Sequence, residues 1–202
     1  MTTGKRYAVL VPLLFCLLPA WALADWEGVV KVTVSKNKSE PSREISGTVR
    51  MKNEMIRLDT QYPIAMSAII NTKTNQSWSL IHLMKIFMEG DLSKLQGQTP
   101  VCGTLDIDEC LKKQKFKKTG SEKVLGQKCT VYENEGETKV RLWRPNDLKE
   151  VASVKMITTE SSGQTIETVI SEIKQNVQSE SHFKVPDNYR AAKNLKNLLQ
   201  GF

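Results

Sequence analysis

The chain has 202 residues, a formal net charge of +7, and 40% hydrophobic and 25% charged residues. This composition is that of an ordinary globular protein, and it excludes a collagen-like, coiled-coil or wholly disordered chain. Only two histidines and four cysteines are present, which excludes a histidine-rich metal centre.

The first 24 residues are predicted to be an export signal. Lys5 and Arg6 form a basic start, residues 7–18 are mostly apolar, and residues 22–24 form a small-x-small cleavage site. The apolar run is shorter than the roughly 20 residues that a membrane-spanning helix needs. We therefore expect cleavage after Ala24 and a periplasmic protein, with secretion or an uncleaved anchor as alternatives. Cleavage lowers the net charge from +7 to +5, because the segment holds two basic residues and no acidic ones.

Strands are predicted through the first half of the remaining chain. Apolar residues recur at every second position in 26–34, 45–51 and 55–59, which is typical of strands with one buried face. A shorter apolar segment, 67–71, is predicted to be a fourth strand. Residues 77–88 are apolar on both parities, so we predict a strand covered on both faces, by a helix or by a ligand.

The second half adds further strands and two helices. A short helix is predicted at 106–114, with Asp106 as its N-cap. From 188 to 202, apolar residues spaced by three and four predict an amphipathic C-terminal helix that packs on the sheet. Strands are predicted at 123–125, 128–132, 139–144, 151–159 and 165–177. The pattern favours one mainly β (α+β) domain, 25–202: a strongly curved antiparallel sheet or half-barrel of about 9–11 strands that encloses, or is covered by, a few helices.

Five lysines fall within residues 112–118. Such a run is usually an exposed, solvated face, and it could also contact an anionic membrane surface. Export and the lack of aromatic residues for base stacking argue against nucleic acid. The lysines are Lys112, Lys113, Lys115, Lys117 and Lys118.

Three cysteines remain after the predicted cleavage, so at most one intramolecular disulfide can form. We predict the pair Cys102–Cys110, which closes a short loop, with Cys129 as a small buried residue. The pair Cys110–Cys129 is the alternative. The cysteine spacings do not fit a zinc site.

Motifs for catalysis and for cofactor binding are absent from the sequence. It holds no nucleophile elbow, zinc-protease motif, phosphate-binding loop or dinucleotide fingerprint. We therefore expect a protein without enzymatic activity, cofactor or bound metal.

Six short motifs resemble those of a known group of proteins. They are VRMK at 49–52, MIRLD at 55–59, MKIF at 84–87, GQKCTVYE at 126–133, VRLW at 140–143 and FKVPDNY at 183–189. The set resembles a family of bacterial exported proteins of unknown function, whose fold is similar to that of the periplasmic lipoprotein carrier and its outer-membrane receptor (the Lol type). The resemblance implies a half-barrel of about eleven strands around helices, with an apolar concave face that holds acyl chains. Cys16 follows the bulky Phe15, unlike a lipidated cysteine, so an anchored receptor is not expected.

Two functions fit these observations. The first is a non-enzymatic periplasmic protein that binds a lipid, a lipoprotein acyl chain or another hydrophobic ligand in an apolar concave face. The alternative is a structural or interaction component of the cell envelope whose lumen is filled by its own helices. Burial of each ligand methylene gains about 0.8 kcal/mol, so binding needs no polar motif. The candidate wall residues are Trp78, Leu80, Met84, Trp143 and Met156.

Overall fold

A computed structural model describes residues 25–36, 42–61, 63–91, 107–136 and 138–192. Within them, twelve strands form one curved, open sheet in the order β12-β6-β5-β4-β3-β2-β1-β11-β10-β9-β8-β7. The strands are β1 (Trp26–Ser35), β2 (Arg43–Lys52), β3 (Met55–Thr60), β4 (Met66–Asn71), β5 (Gln76–Ile81), β6 (Ile86–Asp91), β7 (Lys117–Val124), β8 (Gln127–Glu135), β9 (Lys139–Pro145), β10 (Lys155–Thr159), β11 (Thr165–Gln175) and β12 (Arg190–Ala191). A helix, α1 (Ile107–Lys113), and a 3₁₀ turn at Glu180–Phe183 accompany them. The predicted mainly β half-barrel is confirmed.

The pairing of β1 with β11 joins two halves of the sheet. β1 is antiparallel to both β2 and β11, so β2–β6 lie on one side of it and β7–β11 on the other. Successive strands in each half are joined by antiparallel hairpins, whereas β12 pairs with β6 in parallel. The two halves therefore contain consecutive parts of the chain, and β1 and β11 hold them in one sheet.

Strand register assigns the side chains to two faces. We call the face that contacts α1 the helix face. Leu142 and Met156 are opposite each other in β9 and β10 and pack with Ile107 and Leu111 of α1. We call residues 178–189 the strap, and the opposite side of the sheet, which the strap covers over β3–β6, the strap face.

The helix face is also covered near the start of β1. Trp26 is 1% exposed, and its indole Nε1 donates a hydrogen bond to the Glu150 carbonyl at 3.3 Å. Val151 and Val154, from the segment between β9 and β10, belong to the same buried cluster. Large apolar side chains on this part of the helix face are therefore removed from water by the chain itself.

The strap is fixed by apolar packing and by backbone hydrogen bonds. Phe183 packs against Ile69 and Leu80, both fully buried. At the start of the strap, the Gln178 N–H donates to Asp25 Oδ2 at 3.0 Å, and Lys52 Nζ donates to the Gln178 carbonyl at 2.8 Å. These contacts explain why Ile69 and Leu80 are buried without a helix above them.

The apolar segment 77–88 proves to be a hairpin, not one strand. β5 ends at Ile81, a turn follows, and β6 begins at Ile86. The turn contains no Gly, Pro or Asn, so the usual local signal is missing, and Lys85 adopts a positive φ of 49°. In β5, the face that carries Trp78 and Leu80 is covered by the strap, and not by the predicted helix or ligand.

Three predicted boundaries are also corrected. β7 begins at Lys117, not at 123. The prediction missed its first residues because they are exposed and show no apolar alternation. β10 begins at Lys155, not at 151, because Val151 and Val154 instead cover Trp26.

The third correction concerns the C-terminus. Residues 188–192, predicted to start a helix, form a turn and β12, because the backbone here pairs with β6. The rest of that predicted helix, 193–202, lies outside the described residues, as do Asp106 and the predicted signal, 1–24. The helix predicted at 106–114 is found as α1.

Candidate functional site

Part of the helix face of β2–β6 presents apolar side chains that are only half-buried, beside the buried Val49, Met51, Ile81 and Ile86 of the same face. Register places Ile56 opposite Ile70, and Leu58 opposite Ala68. We call this surface the apolar shelf; it consists of Ile45, Ile56, Leu58, Ala68, Ile70 and Met88, all of intermediate exposure. Apolar side chains that stay partly exposed on one face of a sheet can contact a ligand or a partner.

The shelf forms because residues 45–52 of β2 and 56–59 of β3 alternate between apolar and polar side chains. The β2–β3 register places Ile45 on the same face as Ile56 and Leu58, and antiparallel pairing continues that face into β4. In β5, Ser77 and Ser79 stand opposite Ile70 and Ala68. The shelf is therefore an apolar surface bordered by one row of hydroxyl groups.

The strap face below the same strands carries a polar network centred on Asp59. Arg57 Nε donates to Asp59 Oδ1 at 2.8 Å, and Arg50 Nη1 donates to Oδ2 at 2.5 Å. Ser67 Oγ donates to Oδ1. The network reaches the strap, because Arg57 Nη1 donates to the His182 carbonyl at 2.7 Å.

The same network fixes the tautomer of His82. The Ser67 hydroxyl has one proton, which is donated to Asp59, so Ser67 Oγ must accept from His82 Nε2, 2.7 Å away. In the neutral imidazole, His82 Nδ1 then accepts from the Tyr189 hydroxyl at 2.6 Å. The result is a directed chain of hydrogen bonds from the strap residue Tyr189 to the Asp59 carboxylate.

This serine and histidine do not form a hydrolytic site. In such a site, the acid orients the histidine and the serine is accessible to substrate. Here the acid binds the serine, and Ser67 is 2% exposed. The network instead links β3, β4 and the β5–β6 turn to the strap.

The five predicted wall residues do not form one surface. Trp78 and Leu80 lie on the strap face, in the cluster that contains Phe183. Met84 is half-buried in the turn between β5 and β6. Trp78 and Leu80 are therefore apolar because they pack under the strap, whereas Met84 lies in a turn.

The other two wall residues lie in the second half of the sheet. Trp143 is opposite Lys155, and Leu142 is opposite Met156, so Trp143 and Met156 are on different faces. Trp143 is 4% exposed, with the Arg141 guanidinium 4.8 Å from its ring centre. Met156 is on the helix face. One row of register partners connects it to the shelf, through Thr168, Val32 and Ile45.

Sequence reasoning missed most of the shelf residues as a site. The alternation of apolar and polar residues could have identified them, because Ile45, Ile56 and Leu58 lie on the apolar side of β2 and β3. Following that parity across the hairpin into β4 leads to Ala68 and Ile70.

The five lysines of 112–118 are all exposed. They occupy the last turn of α1, the connection after it and the start of β7, which is an edge strand of the sheet. Lysines on an edge strand discourage pairing with the edge of another sheet. The expectation of a solvated face is met, and membrane contact stays a prediction.

The cysteines separate into one buried thiol and one untested pair. Cys129 is free and 0% exposed, so the alternative pair Cys110–Cys129 is wrong. Burial raises the pKa of the Cys129 thiol, and a backbone hydrogen bond from Val124 opposes that effect. Cys102 lies outside the described residues, and the pair Cys102–Cys110 stays a prediction.

Two kinds of feature are absent from the described part of the chain. It contains no group of three or more His, Cys, Asp or Glu side chains placed to hold a metal ion. Among the same residues, no helix combines the length and apolarity needed to span a bilayer.

The open curved sheet of twelve strands in the described residues is consistent with the half-barrel that the sequence motifs implied. The chain belongs to the family described as a domain of unknown function, DUF4412, which matches residues 26–164. No curated protein matches the chain.

Several solved structures are similar in fold. An uncharacterized conserved protein from Thermus thermophilus has 10% identity and a TM-score of 0.54, over 83% of this chain and 89% of that one. A LolA superfamily protein from Nitrosomonas europaea has 16% identity and a TM-score of 0.48, over 81% and 91%. A putative outer membrane lipoprotein-sorting protein domain from Vibrio parahaemolyticus has 17% identity and a TM-score of 0.44, over 87% and 91%. The similarity concerns the fold alone.

Proposed function

We propose that this protein is an exported, non-enzymatic binding protein for a lipid, a lipoprotein acyl chain or another hydrophobic ligand. The observation that carries the proposal is the apolar shelf, whose side chains remain half-exposed while the opposite face of the same strands is covered by the strap. A periplasmic location follows from the predicted signal and stays part of the proposal.

The ligand would lie on the helix face, across β2–β6. Ile56, Leu58 and Ile70 would contact its apolar part, and Ser77 and Ser79 could accept or donate hydrogen bonds to a polar group. Burying six methylenes would gain about 5 kcal/mol before the cost of association. Met156, at the far end of the register row, would border the ligand next to α1.

Basic side chains could bring the protein to a source of such a ligand. The exposed lysines of 112–118 form a cationic surface that attracts an anionic membrane. This attraction supports delivery or uptake of lipid, and it does not require a specific lipid headgroup.

Native mass spectrometry of the periplasmically expressed protein tests the proposal. We expect a bound lipid mass, and its loss in Ala68→Lys, because a charge at the centre of the shelf opposes burial of an acyl chain. Ser46→Lys is the matched control, since Ser46 is exposed next to the shelf residue Ile45 and points to the other face. Thermal unfolding shows whether each variant is folded.

The interaction-component alternative makes a different prediction. α1 and the segment around Val151 already cover part of the helix face, as expected if the chain fills its own lumen. Protein that is free of lipid in repeated preparations, and that gains no adduct after incubation with fatty acid, would favour this alternative and reject the ligand-binding proposal.

A further inference from the structure

A turn at one end of the sheet leaves an apolar side chain unusually exposed to solvent. Leu83, between β5 and β6, is 85% exposed, the highest value among the exposed large hydrophobics of the described residues. Ile64, in the connection from β3 to β4, is 44% exposed. The two turns are adjacent, because Met66 pairs with Ile81.

Hydrogen bonds hold the backbone of this turn in place. The His82 N–H donates to the Ala65 carbonyl at 3.1 Å, which joins the two turns. The His82 ring is bonded on both sides, to Ser67 and to Tyr189. The Lys85 N–H donates to the His82 carbonyl at 3.2 Å. Leu83 is therefore presented to solvent by a fixed backbone, although exposure there contributes nothing to folding.

Cationic side chains stand beside the apolar ones. Lys85 and Arg190 are both exposed, and the Arg190 N–H donates to the Lys85 carbonyl at 3.0 Å. Asp187 is an acidic residue in the nearby turn of the strap. A single exposed leucine is common on protein surfaces, but an apolar projection flanked by cations matches the headgroup boundary of an anionic bilayer.

We propose that Ile64, Leu83, Lys85 and Arg190, which we call the tip, dock the protein onto an anionic lipid membrane. Leu83 and Ile64 enter the boundary between headgroups and acyl chains, while Lys85 and Arg190 contact lipid phosphates. Lys115, Lys117 and Lys118 lie at the same end of the sheet, since β7 begins beside the end of β8, so both cationic groups can face one surface. The tip is separate from the shelf and does not depend on shelf ligand binding.

Co-sedimentation of the purified protein with vesicles tests the tip. We expect binding to vesicles of phosphatidylglycerol and phosphatidylethanolamine, and weak binding to phosphatidylcholine. Leu83→Asn should lower the partition coefficient about tenfold, through loss of one buried leucine. The double variant Lys85→Gln/Arg190→Gln should remove most of the preference for anionic lipid.

Leu125 provides a matched control. It is 55% exposed in the β7–β8 turn, it is flanked by exposed Lys123 and Lys128, and it lies at the opposite end of the sheet. Leu125→Asn should leave vesicle binding unchanged, and Asn suits its positive φ of 48°.

Three results would overturn docking by the tip. The first is a wild-type protein that binds neither vesicle, which would point to a protein partner. The second is equal loss in Leu83→Asn and Leu125→Asn. The third is loss only when the lysines of 112–118 are replaced, with Leu83→Asn unaffected. Because the shelf is tested by bound lipid in solution, Leu83→Asn should keep its lipid adduct in native mass spectrometry, so the two proposals can fail separately.

Discussion

Ile69 and Ile70 are adjacent in β4, yet they have different surroundings. Ile69 is 0% exposed, beneath Phe183 of the strap, whereas Ile70 points to the other face and is half-buried on the shelf. The same contrast holds for Ser67 and Ala68. One face of this half of the sheet is thus closed by its own C-terminal segment, and the other keeps half-buried apolar side chains. The difference separates stability, which depends on the strap face, from the proposed binding, which depends on the shelf.

The largest expected effect comes from truncating the two isoleucines separately. Ile69→Ala should lower the free energy of unfolding by about 3–4 kcal/mol, because it leaves a cavity under Phe183. Ile70→Ala should cost about 1 kcal/mol, since its side chain is only partly removed from water. Urea unfolding measures both values. Equal losses would show that the two faces are equally buried and would contradict the contrast drawn above.

Breaking the Asp59 network on the strap face should cause the next largest loss of stability. Asp59→Asn leaves Arg57 without a carboxylate partner and Arg50 with Glu27 alone, whose Oε2 is 3.6 Å from Arg50 Nε, in a site where the Asp59 side chain is 19% exposed. We expect a loss of about 2 kcal/mol in the free energy of unfolding. Glu44→Gln is the control: Glu44 pairs with Lys31, both side chains are 52% exposed, and the cost should be below about 0.5 kcal/mol. If Glu44→Gln lowers the free energy of unfolding as much as Asp59→Asn does, the network stabilises the fold no more than a surface ion pair does.

Tyr189→Phe should have a smaller, local effect. It removes the hydroxyl that donates to His82 Nδ1, at a cost of about 1 kcal/mol. Hydrogen exchange should become faster for the amides of Arg190 and Ala192, which bond to the carbonyls of Lys85 and Phe87. Unchanged exchange at these amides would mean that the strap is held without His82.

Ionisation of the Cys129 thiol should leave the free energy of unfolding almost unchanged near neutral pH. Burial raises the pKa of Cys129 above its ordinary 9.0, so the folded state disfavours the thiolate. The stability linked to this shift is complete below the ordinary pKa and is lost as the pH rises through the raised value. Alkylation of native protein should therefore spare Cys129, and unfolding without reductant should expose it alone. Labelling of Cys102 or Cys110 in that second step would contradict their predicted disulfide.

Strand periodicity predicted the parts of the fold in which one face is apolar and the other polar. β2 and β3 alternate cleanly, and both were located correctly. β7 was mostly missed, because an exposed edge strand has no apolar parity to detect. The β5–β6 turn was missed because tertiary bonds from Ala65 and Tyr189 hold it, with no local turn residue.

The site was harder to predict than the fold, for a physical reason. Apolar residues on both parities of β4 indicate that both faces avoid water, but they do not show which face is covered by the chain. That assignment depends on the strap, more than 100 residues further along the sequence. Trp78 and Leu80, expected in the ligand-binding wall, pack under Phe183 instead. The smaller Ala68 and the adjacent Ile70 lie on the shelf.

Photo-crosslinking with a diazirine fatty acid tests the central claim most directly. Peptide mapping of the labelled protein can resolve neighbouring positions in β3 and β4. Binding on the shelf predicts labels at Leu58, Ala68 and Ile70, at every second residue, and their loss when unlabelled fatty acid competes. Labels concentrated at Ile69, Trp78 or Leu80, or labelling that a competitor does not reduce, would contradict a ligand site on the helix face.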